Sequence, residues 1–174
     1  MPTAPQATAH RATARRVLVA LCTAYGLLTL RTPETFRLMD NVDLAIHETG
    51  HLVFAPFGEF LTALGGSLFQ LIVPALFVGT FWRRGDRFAA FISIWWLAQS
   101  SWNLARYIAD ARALELPLVG GGEHDWAYLL ADLGWLQHDL LIAGMVRGAG
   151  ILLFALGMFG AWMAVNDDPT HHDR

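Results

Sequence analysis

FLTALGGSLFQLIVPALFVGTFW, residues 60–82, contains no charged side chain. At about 1.5 Å of rise per residue a helix of that length is roughly 34 Å long, enough to cross the hydrocarbon core of a bilayer. It ends at Arg83-Arg84-Gly85-Asp86-Arg87, a tight basic turn from which residues 88–110 return as a further helix. Toward the N-terminus, Arg15 and Arg16 precede the uncharged run 17–30. Arg31-Thr32-Pro33 follows it where a small-x-small cleavage site would stand, so the run reads as an uncleaved anchor helix. Toward the C-terminus, residues 148–165 form another uncharged span, roughly 27 Å long as a helix and bordered by Arg147. Residues 126–146, with Asp132, His138 and Asp139, are amphipathic and predict an interfacial or partly embedded helix. The breaker-rich loop Leu116-Pro117-Leu118-Val119-Gly120-Gly121-Gly122 comes before them. Residues 1–14, rich in Ala, Thr and Pro without apolar periodicity, predict a disordered tail, and 166–174 a loose polar one.

The composition agrees with these spans. Apolar residues make up 55% of the chain and charged residues 16%, which is the balance of a membrane protein rather than a soluble one. A net charge of −3 offers no concentrated basic face for nucleic acid. The single cysteine, Cys22, excludes a disulfide framework, a thiolate zinc site and an iron–sulfur cluster. The expectation is therefore all-α: an integral membrane helical bundle with one domain over residues 15–165. It has about four transmembrane helices plus one re-entrant helix.

Arginine placement orients the bundle, because cytoplasmic loops retain basic residues. Arg11, Arg15 and Arg16 put the N-terminus inside, and the turn at 83–87 is inside as well. The span 60–82 then runs from outside to inside, so residues 31–58 start and finish on the outer side. Residues 41–57 cannot cross fully in that scheme. They predict a re-entrant or half-buried helix entered from outside, with Asp40 or Asn41 as its N-cap and Pro56 and Gly58 at its end. The loop at 116–125 also falls outside.

Within that re-entrant segment stands His47-Glu48-Thr49-Gly50-His51, an H-E-x-x-H string. Residues four apart lie one turn above each other on a helix, so both imidazoles address one ion. Neutral imidazole is a good zinc ligand, and Glu48, offset around the helix, can take a proton from a zinc-activated water and pass it to a leaving amine. Two His and a Glu are costly in an apolar segment unless paired or ligating.

A catalytic zinc site uses three protein ligands and keeps one position open. His10, His171 and His172 lie in polar tails, and His138 sits on an amphipathic surface. Glu123-His124-Asp125-Trp126 follows three glycines on the same side as His47, and a glycine turn lets a ligand-bearing backbone fold back into a site. His124 is the first candidate for the third ligand. Asp125 is the second, as ligand or as an acceptor orienting an imidazole, and Asp110 the third. Helix capping by His124 or Asp125 is the plain alternative, and it is compatible with ligation by the other residue.

Gln99, Asn103, Arg106 and Asp110, at offsets 0, 4, 7 and 11, fall within about 60° of arc on one helical face. In a membrane helix such a stripe faces the protein interior or a water-filled cavity. An Arg106–Asp110 pair locking helices together is the simpler reading of those two residues. Gln70, alone in the middle of its span, faces the same cavity or makes a helix–helix hydrogen bond. Trp82, Trp95, Trp96, Trp102 and Trp162 read as interface belt and packing. Gly144 and Gly148 have the spacing of a close helix contact.

An embedded H-E-x-x-H followed by glycine-rich apolar helices resembles the site-2 protease class of intramembrane zinc metallopeptidases, which cleave peptide bonds within or beside the membrane. In that class the third ligand is an Asp in a later Leu-Asp-Gly motif. This chain has no such motif, and its nearest counterpart is the 116–125 loop, which leaves the ligand between His124 and Asp125. The chain is also similar, over roughly residues 45–130, to a group of small bacterial membrane proteins. The matching features are the HExGH string, Phe57-Gly58-Glu59-Phe60, Gly65-Gly66 with Gln70 and Pro74, Tyr107-Ile108-Ala109-Asp110-Ala111-Arg112 and Gly-Gly-Gly-Glu-His-Asp-Trp.

The resemblance implies a multi-pass protein of the bacterial inner membrane with zinc as cofactor, acting on a membrane peptide or protein. Two other readings stand beside it: a zinc-dependent lipid amide or ester hydrolase, and a non-enzymatic subunit using a metal to hold helices of a larger assembly or homo-oligomer. A di-iron oxygenase has too few histidines outside the tails.

Overall fold

The computed structural model describes residues 4–118 and 123–166. They form six α-helices: α1 (Ala4–Arg31), α2 (Leu38–Phe54), α3 (Glu59–Arg83), α4 (Arg87–Ala109), α5 (Asp125–Asp132) and α6 (Asp139–Asn166). Two short 3-10 turns, Ala55–Phe57 and Leu136–His138, interrupt the connections, and there is no strand among the described residues.

Three segments are long and apolar enough to cross a membrane: Ala9–Arg31, Glu59–Arg83 and Leu136–Asn166. Their outer faces are bare hydrocarbon, with Leu21, Leu76, Leu152 and Phe159 each more than 60% exposed. An apolar surface of that extent needs a lipid or protein partner. The expected fourth span, α4, is not among the three. It is 23 residues long but carries Gln99, Ser100, Ser101, Asn103 and Arg106. It has no need of an apolar circumference, because Ala90, Ala98, Gln99, Ser100 and Ile108 are wholly enclosed by neighbouring helices.

Several boundaries differ from the sequence expectation. The N-terminal segment, expected to be disordered, is helical from Ala4, since alanine and arginine favour helix without any packed face. α2 starts two residues before Asp40, at Leu38, with Arg37 as the flanking residue. The Asp40 carboxylate accepts the Arg37 backbone N–H at 2.6 Å from inside the first turn. The end of α2 falls where Pro56 and Gly58 place it, with Gly58 at φ 95° turning the chain back into α3. The amphipathic segment 126–146 is not one helix. Gly134, at φ 68°, breaks it into α5 and the start of α6, so the expected span 148–165 is the latter part of a 28-residue helix. The expected polar tail falls on residues 167–174, outside the described residues.

The main contacts pair α4 with α6 and α2 with α3, while α4 also packs on α3. Cys22, Trp95, Ala98, Trp102, Phe154 and Met158 form the core between α1, α4 and α6. Small residues decide how closely α6 approaches α4. A Cβ on Gly157 would lie 3.0 Å from the backbone of Phe91 and Trp95, and one on Gly150 would lie 2.6 Å from the Trp102 ring. Gly144 and Gly148, whose spacing suggested that contact, face open space.

Gly157→Ala is therefore expected to lower unfolding stability in detergent by about 1–3 kcal/mol, as overpacking does. Gly144→Ala should leave it unchanged or raise it by about 0.5–1 kcal/mol through helix propensity. Equal effects in a thermal-unfolding comparison would show that α6 does not pack on α4 through Gly157.

Candidate metal centre

The helical repeat of α2 puts Asp40, Asp43, His47 and Gly50 on its buried side. Gly50 meets Gly65 and Gly66 of α3 so closely that a Cβ on Gly50 would collide with the Gly65 carbonyl. The contact brings both imidazoles over Gly66. A Cβ there would stand 2.5 Å from His47 Nε2 and 2.7 Å from His51 Nε2, in the space both nitrogens face.

Each imidazole has its tautomer set by its other nitrogen. His51 Nδ1 lies 2.8 Å from the Thr62 carbonyl, which can only accept, so Nδ1 donates and, in the neutral imidazole, Nε2 carries the lone pair. His47 Nδ1 lies 3.2 Å from Gln70 Oε1. The Gln70 amide nitrogen donates to the Ser100 carbonyl at 3.2 Å and to Asn103 Oδ1 at 3.0 Å. The Asn103 amide nitrogen in turn donates to Asp40 Oδ1 at 2.9 Å. A carboxylate can only accept, so every orientation back along this chain follows, and His47 Nδ1 must donate. Its Nε2 lone pair is left facing the centre as well.

Asp125, the first residue of α5, supplies the third group. Its Oδ2 lies 3.1 Å from His47 Nε2 and 3.3 Å from His51 Nε2. Tyr107 of α4 fixes this carboxylate with two bonds: its hydroxyl accepts the Asp125 backbone N–H at 3.1 Å and donates to Oδ2 at 3.1 Å. With each Nε2 unprotonated, as metal binding requires, three lone-pair-bearing atoms converge, and they could hold a metal ion. Ligands on a tetrahedral ion with bonds of about 2.0 Å stand about 3.3 Å apart, close to the spacings found here. Burial disfavours the charged form of Asp125, but the two imidazoles outweigh it and hold its pKa down to about 2. In the other direction the Asp125 carboxylate, against burial and with help from the Thr62 carbonyl, lifts His51 to about 9. Without a metal the carboxylate is thus paired with a proton held on His51, which a metal ion would have to displace.

His124, the first candidate from sequence, stands elsewhere. Its Nδ1 accepts the Ala127 N–H at 3.3 Å and so caps α5, while its Nε2 lies 3.4 Å from Asp110 Oδ2. Capping by His124 and convergence of Asp125 on the histidines occur together. Burial pushes the His124 imidazole toward its neutral form. Asp110 does not pair with Arg106; it accepts the backbone N–H groups of Glu115 and Leu116, both at 3.0 Å. Gln99 donates to Asp40 Oδ1 at 3.4 Å, so Gln70, Gln99 and Asn103 form a helix-joining network rather than a row of isolated groups. The glycines of residues 120–122 lie outside the described residues.

A cavity of about 1160 Å³ opens beside the centre and is lined by His47, His51, Asp125, Tyr107, Arg106 and Glu48, among others. Glu48 is half-buried there, and no other described residue hydrogen-bonds its carboxylate. Comparison with protein-family models, curated proteins and solved structures finds no match.

Tyr107, Gly66 and the Thr62 carbonyl are parts of the centre to which sequence reasoning gave no role. Tyr107 lies about 80° from Gln99 on the helical wheel, flanking the polar stripe, and that was the available signal. A backbone carbonyl carries none.

Metal analysis of variants purified and zinc-loaded alike should show near-stoichiometric zinc in the wild type and in His124→Ala, and its loss in His51→Ala and Asp125→Ala. Gly66→Ala should lose it too, without any ligand being altered. Zinc retained in Asp125→Ala but lost in His124→Ala would reverse the assignment.

Proposed function

We propose that this chain is a membrane-embedded zinc metallopeptidase that cleaves peptide bonds in or near the bilayer. The observation that carries the reading is the convergence of His47, His51 and Asp125 at a cavity, with the unengaged carboxylate of Glu48 on its wall. Two imidazoles and one carboxylate are a zinc-type ligand set with a position to spare. A purely structural site would have all four positions filled by protein. The chain's resemblance to site-2 proteases points the same way, with Asp125 in place of the Asp of their later motif.

A zinc ion held by His47, His51 and Asp125 would supply a more acidic water and a Lewis acid for the carbonyl under attack. Glu48 takes the proton that the water gives up as its oxygen bonds to the carbonyl carbon. As the C–N bond breaks, Glu48 returns that proton to the departing amine, leaving a carboxylic acid and an amine. Gln70 and Thr62 hold the imidazoles edge-on to the centre, and Tyr107 holds Asp125 against rotation. The cavity offers room for several residues of an extended peptide. In this reading the protein sits in a bacterial inner membrane, its N-terminus cytoplasmic and its site toward the outer side.

Glu48→Gln should keep its zinc and lose at least about 10²-fold in peptide turnover, as removal of a general acid–base group does. Cleavage is measured on detergent-purified protein with transmembrane-type peptides. Loss of lipid amide or ester hydrolysis with peptides untouched in both forms would shift the reading to a lipid hydrolase. Indifference to Glu48→Gln together with co-purification of a defined subunit would shift it to an assembly role.

A further inference from the structure

Among the described residues, Arg106 is the single arginine on the wall of the cavity beside the candidate metal centre, and the chain has no lysine. Its neighbour in sequence, Tyr107, holds Asp125. The guanidinium is positioned but not neutralised. Nη1 donates to the Glu34 backbone carbonyl at 3.3 Å, and the cation sits 5.6 Å from the centre of the Phe36 ring. Among the described residues no carboxylate lies within ion-pair distance of it. Its Nε is buried and has no acceptor, and Nη2 donates to no described residue.

Nε is shut off from the cavity, so the corner left to a ligand is Nη2, whose N–H groups can give a carboxylate a charge-assisted hydrogen bond. The fold has fastened the opposite corner of the group, Nη1, to the backbone. A half-buried cation without a counter-ion is costly, and an anion held at Nη2 offsets that cost. Two other arginines at helix junctions are completed within the protein: Arg112 by Asp139 at 2.7 Å, and Arg37 by the carbonyls of Thr32 and Thr35.

We infer that Arg106 is a substrate-anchoring residue that binds a carboxylate on the peptide, so that the substrates are peptides bearing a carboxylate close to the bond cleaved. This rests on the reading of the cavity as a peptide site. The carboxylate belongs either to a free C-terminus, which makes the chain a C-terminal trimming enzyme, or to an acidic side chain. Arg106 acts by fixing the peptide across the centre and holds no metal.

The test uses the zinc-loaded full-length protein in detergent with two small probes, N-acetyl-leucine and N-acetyl-leucinamide, which differ only in the carboxylate. The acid should bind roughly 10- to 100-fold tighter than the amide, the range of a charge-assisted hydrogen bond. Arg106→Gln should abolish that difference while zinc content and helicity stay unchanged, and Arg106→Lys should restore part of it. Equal binding of the two probes to the wild type, or a preference that survives in Arg106→Gln and so comes from the metal, overturns the assignment. So does Arg106-dependent binding of phosphatidylglycerol micelles without any preference for the acid probe. Matched peptides with free or amidated C-termini, and with Glu or Gln side chains, then tell the two carboxylate sources apart by their KM. Should no peptide be cleaved, the peptidase reading fails, while the probe measurements still decide Arg106.

Discussion

A carboxylate can only accept hydrogen bonds, and that constraint on Asp40 orients His47 in the candidate metal centre. Because Asp40 Oδ1 takes the Asn103 amide N–H, Asn103 must present its oxygen to Gln70, and Gln70 must present its own to His47. One buried acceptor, 4% exposed, therefore selects the tautomer of a histidine beyond two intervening side chains. The chain crosses between α2, α3 and α4, so the network that orients the imidazole also holds together the helices that form the site. In a low-dielectric interior such bonds are strong when complete and costly when broken. That is a reason for these polar residues to stand where apolar ones would pack equally well.

Small residues supply the other half of the geometry. His47 and His51 could not both look toward Asp125 if α3 stood at an ordinary interhelical distance, and it is the Gly50, Gly65 and Gly66 contact that brings it closer. Gly66 leaves open the space in front of the two imidazole nitrogens, which any side chain there would enter. On the far side of α4, Gly150, Gly157 and Gly160 do the same for α6. α4 can then carry its polar stripe inside a protein shell, while α1, α3 and α6 present the hydrocarbon-rich outer faces.

Much of this was legible in the sequence, for physical reasons. Uncharged runs over 17–30, 60–82 and 148–165 mark helices because their apolar length has few other uses. The His47–His51 spacing marks a shared ligand face because helical geometry leaves no alternative, and the Gln99–Asn103–Arg106 stripe had to point inward. What stayed hidden depends on tertiary placement. His124 and Asp125 are neighbours, and which one turns to the histidines is decided by Asp110 and Tyr107, residues 14 or more positions earlier. Residues 88–110 read as a helix in the sequence, while the enclosure of α4 by its neighbours shows only in three dimensions. The break at Gly134 was missed because an amphipathic pattern continues on both sides of it.

The central claim is a three-residue centre of two imidazoles and one carboxylate. X-ray absorption at the zinc K-edge, on the zinc-loaded wild-type protein in detergent, tests it most directly. The account predicts a four-coordinate ion at about 2.0–2.1 Å, with scattering from two imidazoles and oxygen in the remaining positions. A third imidazole would put His124 or another histidine on the metal in place of Asp125. A protein that takes up no zinc under any loading condition would contradict the centre altogether.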